Sequence, residues 1–309
     1  MMADSWGRLR LRAYEPEAGR RTPLEVRFWG VRGSIPTPGT STQRWGGNTA
    51  CLEVRHGDRS PLVFDCGTGA RLLGGKLAGD PAGELDIVFS HLHMDHVFGF
   101  PFFIPVYLAG YKVRVTVPAY SADEAREKLA RYLNGTYHPT RLRDLSSDIE
   151  FLPVRTGESF QRGPWELHTI GLNHPGGSVG YRVEVDGASL CYVTDTAPFA
   201  KPGTGICHGG PPTPAEQRMV DFLKGADVVI YDTMYELNEF LEKMTWGHSY
   251  PEYAVELCRA AGAKHLILFH HRPEAADDEM DAMDARWSKQ HGALRVSVAR
   301  EGELVSVEG

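Results

Sequence analysis

Cysteine is scarce and badly placed for cross-linking. Only five occur in 309 residues (Cys51, Cys66, Cys191, Cys207 and Cys258), odd in number, scattered, and with no C-x-x-C pair. That excludes a disulfide framework and leaves a thiolate metal site little support, so the cysteines read as reduced thiols, mostly small core residues. Long apolar runs are missing too. The most apolar stretch, Val97 to Tyr111, is broken by Pro101 and Pro105 and is too short to cross a bilayer. No apolar segment follows Arg8, Arg10 and Arg12 as a secretion signal requires, so the expectation is a cytoplasmic protein without a membrane partner. Basic excess is also lacking. The formal net charge is -7, with 24% of residues charged, which runs against a dedicated binder of long nucleic acid. No internal repeat, low-complexity tract or clear linker divides the chain.

Apolar residues are plentiful. Hydrophobic side chains make up 42% of the chain, ample for a large core. Residues 1–24 are polar and read as a loosely ordered extension, with 25–309 as a single domain. Short runs at Glu25–Trp29, Ala50–Arg55, Leu62–Asp65, Asp86–Ser90, Lys112–Val117, Tyr181–Val185 and Leu190–Thr194 have the length and β-branched content of strands. Ser121–Leu133, Thr213–Leu223 and Pro251–Ala261 carry helical spacing and N-terminal signals. Val228–Tyr231 and His265–Phe269 read as buried strands, and Ala275–Gln290 as an acidic surface helix. Strands come first and then alternate with helices, which predicts a layered α/β sandwich rather than a doubly wound sheet. The Gly/Pro-rich stretch Ala197–Pro214 fits a substrate-facing lid and an ordinary surface connection equally well.

Chemistry concentrates in Ser90-His91-Leu92-His93-Met94-Asp95-His96, directly after the apolar run Ile87-Val88-Phe89. A strand end followed by a tight turn can aim several side chains at one point. Imidazole and carboxylate together suit zinc, manganese or iron. The bland alternative is a polar turn that happens to be rich in histidine, but such a turn beside a core strand is costly without partners. One turn cannot complete two metal sites, so distant ligands are expected at other strand ends. His174, Asp195 and His270 occupy comparable positions, in the turn before one strand-like run and immediately after two others. Taken singly, each more often serves as an ordinary polar residue; the dense turn changes that weighing. His248, in Trp246-Gly247-His248-Ser249, precedes a helix, where Ser249 alone could be a cap.

The H-x-H-x-D-H run, Asp65 in Phe64-Asp65-Cys66-Gly67-Thr68-Gly69, and the later His174, Asp195 and His270 resemble the metallo-β-lactamase superfamily motifs in their usual order. The resemblance covers the chain from about residue 25. Phe28-Trp29-Gly30-Val31-Arg32-Gly33-Ser34-Ile35-Pro36 and Gly46-Gly47-Asn48-Thr49-Ala50-Cys51 are similar to its phosphodiesterase branch, which includes tRNA 3′-processing ribonucleases and cyclic-nucleotide phosphodiesterases. It implies a four-layer αββα sandwich holding two divalent metal ions, zinc first, with manganese or iron as alternatives. One ion would be held by His91, His93 and His174, the other by Asp95, His96 and His270, with Asp195 bridging. His271 adjoins His270, and the single His after the strand in the matching motif favours His270. Asp65 resembles a carboxylate that orients metal-bound imidazoles, and His248 a donor that protonates the leaving group. Asp95 and Asp65 join His248 as the implied catalytic set.

The implied function is metal-dependent hydrolysis of a small phosphodiester such as a cyclic nucleotide, through hydroxide generated at the metals. RNA is the less favoured partner, because no basic Gly/Pro-rich gripping arm is visible; a homodimer is the commonest assembly to expect. The alternatives are lactone or thioester hydrolysis on the same site, a tRNA 3′-end endoribonuclease, and a binding protein without turnover. An oxygen-reducing di-iron centre ranks last, since its pattern places Glu where this chain has His93.

Overall fold

The computed structural model describes residues 22–79, 83–201 and 203–307. The extension expected over residues 1–24 lies outside these, apart from its last three positions. Fifteen strands and seven α-helices are present among the described residues. Six strands open the fold: β1 Leu24–Gly30, β2 Cys51–His56, β3 Leu62–Phe64, β4 Glu84–Val88, β5 Lys112–Pro118 and β6 Asp148–Val154. With the C-terminal strand β15 (Leu304–Val307) they form a seven-stranded sheet in the order β15-β1-β2-β3-β4-β5-β6. The second sheet has eight strands: β7 Ser159–Arg162, β8 Trp165–Leu172, β9 Ser178–Val185, β10 Ala188–Val193, β11 Val228–Asp232, β12 His265–Phe269, β13 Gln290–His291 and β14 Leu294–Val298. Its order is β13-β14-β12-β11-β10-β9-β8-β7.

Three apolar cores define four layers. Between the sheets, Phe28, Phe64 and Val88 meet Trp165, Tyr181, Tyr192, Ile230, Ile267 and Phe269. The Phe64 ring lies 5.0 Å from that of Tyr192 in a tilted arrangement, close to the geometry aromatic pairs prefer. Outside the first sheet, α1 (Ala70–Leu77) and α3 (Ala122–Ala130) contribute to a core with Leu73, Leu77 and Leu129. A short α2 (Met94–Val97) carries part of the histidine-rich turn. Outside the second sheet lie α4 (Pro214–Leu223), α6 (Pro251–Ala261) and α7 (Asp277–Trp287), which bury Met219, Tyr253, Leu257 and Met280. The α5 helix (Leu237–Glu242) completes the set. This is the αββα sandwich that the family resemblance implied, layered as the order of elements predicted.

Local chemistry explains the boundaries. Ser121 Oγ accepts the Glu124 N–H and caps α3. In α4, Thr213 and Glu216 form a reciprocal capping box with Pro214 at the first turn. Gly262, with φ of 65°, ends α6 in the left-handed conformation. The Gly/Pro-rich stretch 197–213 is tied to the helical layer: Phe199 N–H donates to the Tyr253 hydroxyl, and the buried Glu216 carboxylate accepts from Ile206 and Thr213. None of its described residues lines the site cleft.

Candidate active site

Every sequence-predicted ligand sits where a strand stops. His91, His93, Asp95 and His96 follow β4; His174 lies between β8 and β9; Asp195 follows β10 and His270 follows β12. Several of these stops use left-handed backbone. Five non-glycine described residues have positive φ, and four belong to the site: Ser34 (62°), Asp65 (55°), Asp195 (53°) and His270 (64°). Such conformations cost on the order of 1–3 kcal/mol each and persist only where surrounding structure enforces them.

The structure brings the expected residues into two adjacent nests. The first contains His91, His93, His174 and Asp195; the second contains Asp95, His96, Asp195 and His270. Asp195 belongs to both. Its Oδ2 lies 3.5 Å from His91 Nε2 and 3.5 Å from His174 Nε2, while its Oδ1 lies 3.1 Å from both His96 Nε2 and His270 Nε2. Asp95 Oδ2 closes the second nest at 3.2 Å from His96 Nε2 and 3.1 Å from His270 Nε2. It also accepts the Ser34 backbone N–H at 2.8 Å. His271 turns away: its Nε2 meets the Ala299 carbonyl at 2.8 Å, and burial pushes its pKa down to about 3.

Neighbouring groups set which ring nitrogen faces inward. Asp65 Oδ2 accepts from His96 Nδ1, Ser90 Oγ and the Tyr192 hydroxyl, each at 2.8 Å, and Oδ1 takes the Ser90 N–H. His174 Nδ1 donates to the Gly247 carbonyl at 2.9 Å. With those N–H groups committed outward, both Nε2 atoms present lone pairs to the interior. Burial holds the His91 pKa well below its ordinary value, with the neighbouring His96 ring adding to the effect. Burial opposes ionisation of Asp195, but the rings of His270, His96 and His91 outweigh it and hold its carboxyl well below the usual range.

These residues fit divalent ions. Buried His91 Nε2 has no hydrogen-bond partner, and His174 Nε2 faces His93 Nδ1 at 3.0 Å while His270 Nε2 faces His96 Nε2 at 3.3 Å. Nitrogens crowded lone pair to lone pair call for a cation. Bonds of about 2.0–2.1 Å in a tetrahedral site place ligand atoms roughly 3.3 Å apart, which matches the spacings here.

One functional residue escaped the sequence reading. Asp232, the last residue of β11, is fully buried, and its Oδ2 meets His248 Nδ1 at 2.9 Å while also accepting the Thr196 N–H at 3.0 Å. Burial works against a charged His248, but Asp232 outweighs it and lifts the pKa to about 9. The signal was available: Asp232 ends an apolar run, as Asp195 nearly does. His248 joins His93, Asp95, His174 and Asp195 in lining an open cleft of about 370 Å³, with Ser34, Met94, Tyr132, Pro175 and Trp246 completing the wall.

The fold, with its paired His/Asp nests at the strand ends, defines a hydrolase of the metallo-β-lactamase type. The chain belongs to the β-lactamase superfamily domain family, whose model matches residues 61–271, and that family implies divalent metal ions. Among curated relatives, ribonuclease BN of Escherichia coli O7:K1 is 25% identical, with 80% of this chain and 88% of the relative covered. The metallo-β-lactamase fold protein YhfI from Bacillus subtilis superposes with a TM-score of 0.66 at 17% identity, covering 93% of this chain and 100% of that one. The short form of human tRNase Z gives a TM-score of 0.60 at 20% identity, with 92% and 99% covered. No helix of the described residues is long and apolar enough to cross a membrane.

Proposed function

We propose that the chain is a dinuclear metal-dependent phosphodiesterase acting on a small phosphodiester such as a cyclic nucleotide. The observation that carries this reading is the Asp232–His248 pair set at the edge of the double nest. A phosphodiester expels a poorly leaving alkoxide, and protonation of that oxygen is the help it needs. Lactones and thioesters with good leaving groups need it less.

In this reading His91, His93 and His174 hold one ion, Asp95, His96 and His270 the other, and Asp195 lies between them. The nitrogen-rich donor set favours zinc, with manganese or iron also compatible. When bound, a pair of divalent ions acidifies a water toward neutrality and offsets charge on the phosphate oxygens. The chain's own residues do the rest. Asp65 fixes His96 through its Nδ1, Gly247 fixes His174, and the Ser34 N–H fixes the Asp95 carboxylate. Asp232 occupies His248 Nδ1, while Nε2 makes no hydrogen bond among the described residues. As the bond from phosphorus to the leaving oxygen breaks, that Nε2–H passes its proton to the oxygen, and the ring is recharged from solvent.

A second reading, cleavage of RNA, is supported by the name of the ribonuclease BN relatives and by Lys128 and Arg131. Both cations line a cavity adjoining His91 and His93, and the Arg131 guanidinium has no ion pair among the described residues. Chelated and metal-reconstituted protein should be assayed against bis(p-nitrophenyl) phosphate, cyclic nucleotides and single-stranded RNA, beside Asp95→Ala. Metal-dependent turnover of the small diesters, lost in Asp95→Ala, is the expected result. Turnover of RNA alone selects the second reading, and inactivity on all three removes phosphodiester chemistry.

A further inference from the structure

Trp246 is a large apolar side chain left 62% exposed at the mouth of the cleft. Scattered exposed hydrophobics are ordinary, but this one stands on an anchored backbone. The Trp246 N–H donates to the Lys243 carbonyl at 2.9 Å, closing a turn. The next residue, Gly247, has φ of 89°, and a Cβ there would come within 2.3 Å of Pro175 Cδ and 2.4 Å of His174 Nδ1. Its carbonyl accepts from His174, and the residue after it is His248. The indole therefore sits one residue from the group that orients a proposed metal ligand and two from the proposed proton donor. Met94, also exposed, and Tyr132 line the same cleft, whose volume of about 370 Å³ is in the range of small-molecule sites. Lys243 Nζ, 5.8 Å from the indole centroid, adds positive charge beside the ring.

We infer that Trp246 is a stacking platform for the ring of the leaving group, so that the site selects phosphodiesters whose leaving oxygen belongs to a nucleoside. This rests on the phosphodiesterase reading and narrows its substrate class. A leaving oxygen beside His248 places whatever it carries beside Trp246. A nucleobase offers a planar π-face of the kind aromatic side chains hold, with little regard to its identity.

The test compares two cyclic diesters with the same strained ring, adenosine 2′,3′-cyclic phosphate and glycerol 1,2-cyclic phosphate, on metal-loaded wild type, Trp246→Ala and Trp246→Phe. The preference for the nucleoside diester, as a ratio of kcat/KM values, should fall about tenfold in Trp246→Ala, mainly through KM, and be largely kept in Trp246→Phe. In parallel, titration with adenosine 5′-monophosphate should quench tryptophan emission in wild type and lose that quench in Trp246→Phe. An unchanged ratio in Trp246→Ala, or a quench that survives in Trp246→Phe, overturns the platform. If wild type cleaves neither diester but does cleave bis(p-nitrophenyl) phosphate, the nucleoside-selective site is overturned while the phosphodiesterase reading stands. If it cleaves none of the three, that reading falls, and the titration alone decides whether Trp246 holds a base.

Discussion

An imidazole can hand a proton to a departing oxygen only if it holds one at working pH and keeps a nitrogen free. His248 meets both conditions through a single partner: Asp232 stabilises the charged ring at Nδ1 and leaves Nε2 to the cleft. Asp232 itself is fixed by the Thr196 and Met234 backbone N–H groups at 3.0 and 3.1 Å. An amide at this position can still accept from one of them but no longer balances an imidazolium. We therefore expect Asp232→Asn to lower kcat by about a hundredfold or more on diesters with alkyl leaving groups. On bis(p-nitrophenyl) phosphate, whose leaving group departs unaided, the loss should stay within about tenfold. His248→Ala should show the same split. An equal loss on both substrates would mean that the pair only supports the fold of the cleft.

At the scale of elements, the site is a set of strand ends, and that is why so much of it could be read. Ile87–Phe89, Leu190–Thr194 and His265–Phe269 are apolar runs, each followed at once by a polar residue, and the structure gathers those residues together. Asp232 follows the same kind of run, Val228–Tyr231, but its partner His248 is distant in sequence and gives no local pattern. Strands with partly exposed faces were the least legible. β6 reads Asp-Ile-Glu-Phe-Leu-Pro-Val, alternates imperfectly and contains Pro153, which is tolerated because β6 is a sheet edge. α1 carries Gly74 and Gly75, which weaken the helical signal; Gly74 sits where a side chain would meet the Ile104 backbone at 2.8 Å. The element joining the parallel strands carries a pH liability of its own. His265 opens β12, is 8% exposed and meets Ser297 Oγ at 2.8 Å, and burial, helped by Arg295, pushes its pKa down to about 4. The unfolded chain therefore takes up this proton near pH 6.5 and the folded chain only near 4. Stability should decline as pH falls through that window, by about 2–3 kcal/mol from this group. Denaturant melts from pH 7 to 4 on wild type and His265→Gln check it; equal slopes for both would remove His265 as the cause.

Across the whole molecule, the two sheets meet chiefly through apolar side chains, and the proposed ligands come from both of them. His91, His93, Asp95 and His96 leave the first sheet after β4, whereas His174, Asp195 and His270 leave the second after β8, β10 and β12. An ion shared among them ties the layers together at one end of the sandwich, and without it that end keeps several buried charges and at least one orphaned ring nitrogen. Folded protein should therefore bind the metal far better than unfolded chain. At a hundredfold excess over Kd, such linkage is worth about 2.7 kcal/mol per site. For two such sites in a chain of this size, together about 5.4 kcal/mol, that corresponds to a Tm roughly 8 °C higher in metal-loaded than in chelated protein. Removing the shared carboxylate in Asp195→Ala should abolish most of the shift, while a conservative change far from the nests, such as Thr213→Ser, should leave it intact. Calorimetry with bound metal measured in parallel decides the matter. Equal Tm values for chelated and fully loaded wild type would show that the ions, if held at all, do not fasten the two sheets.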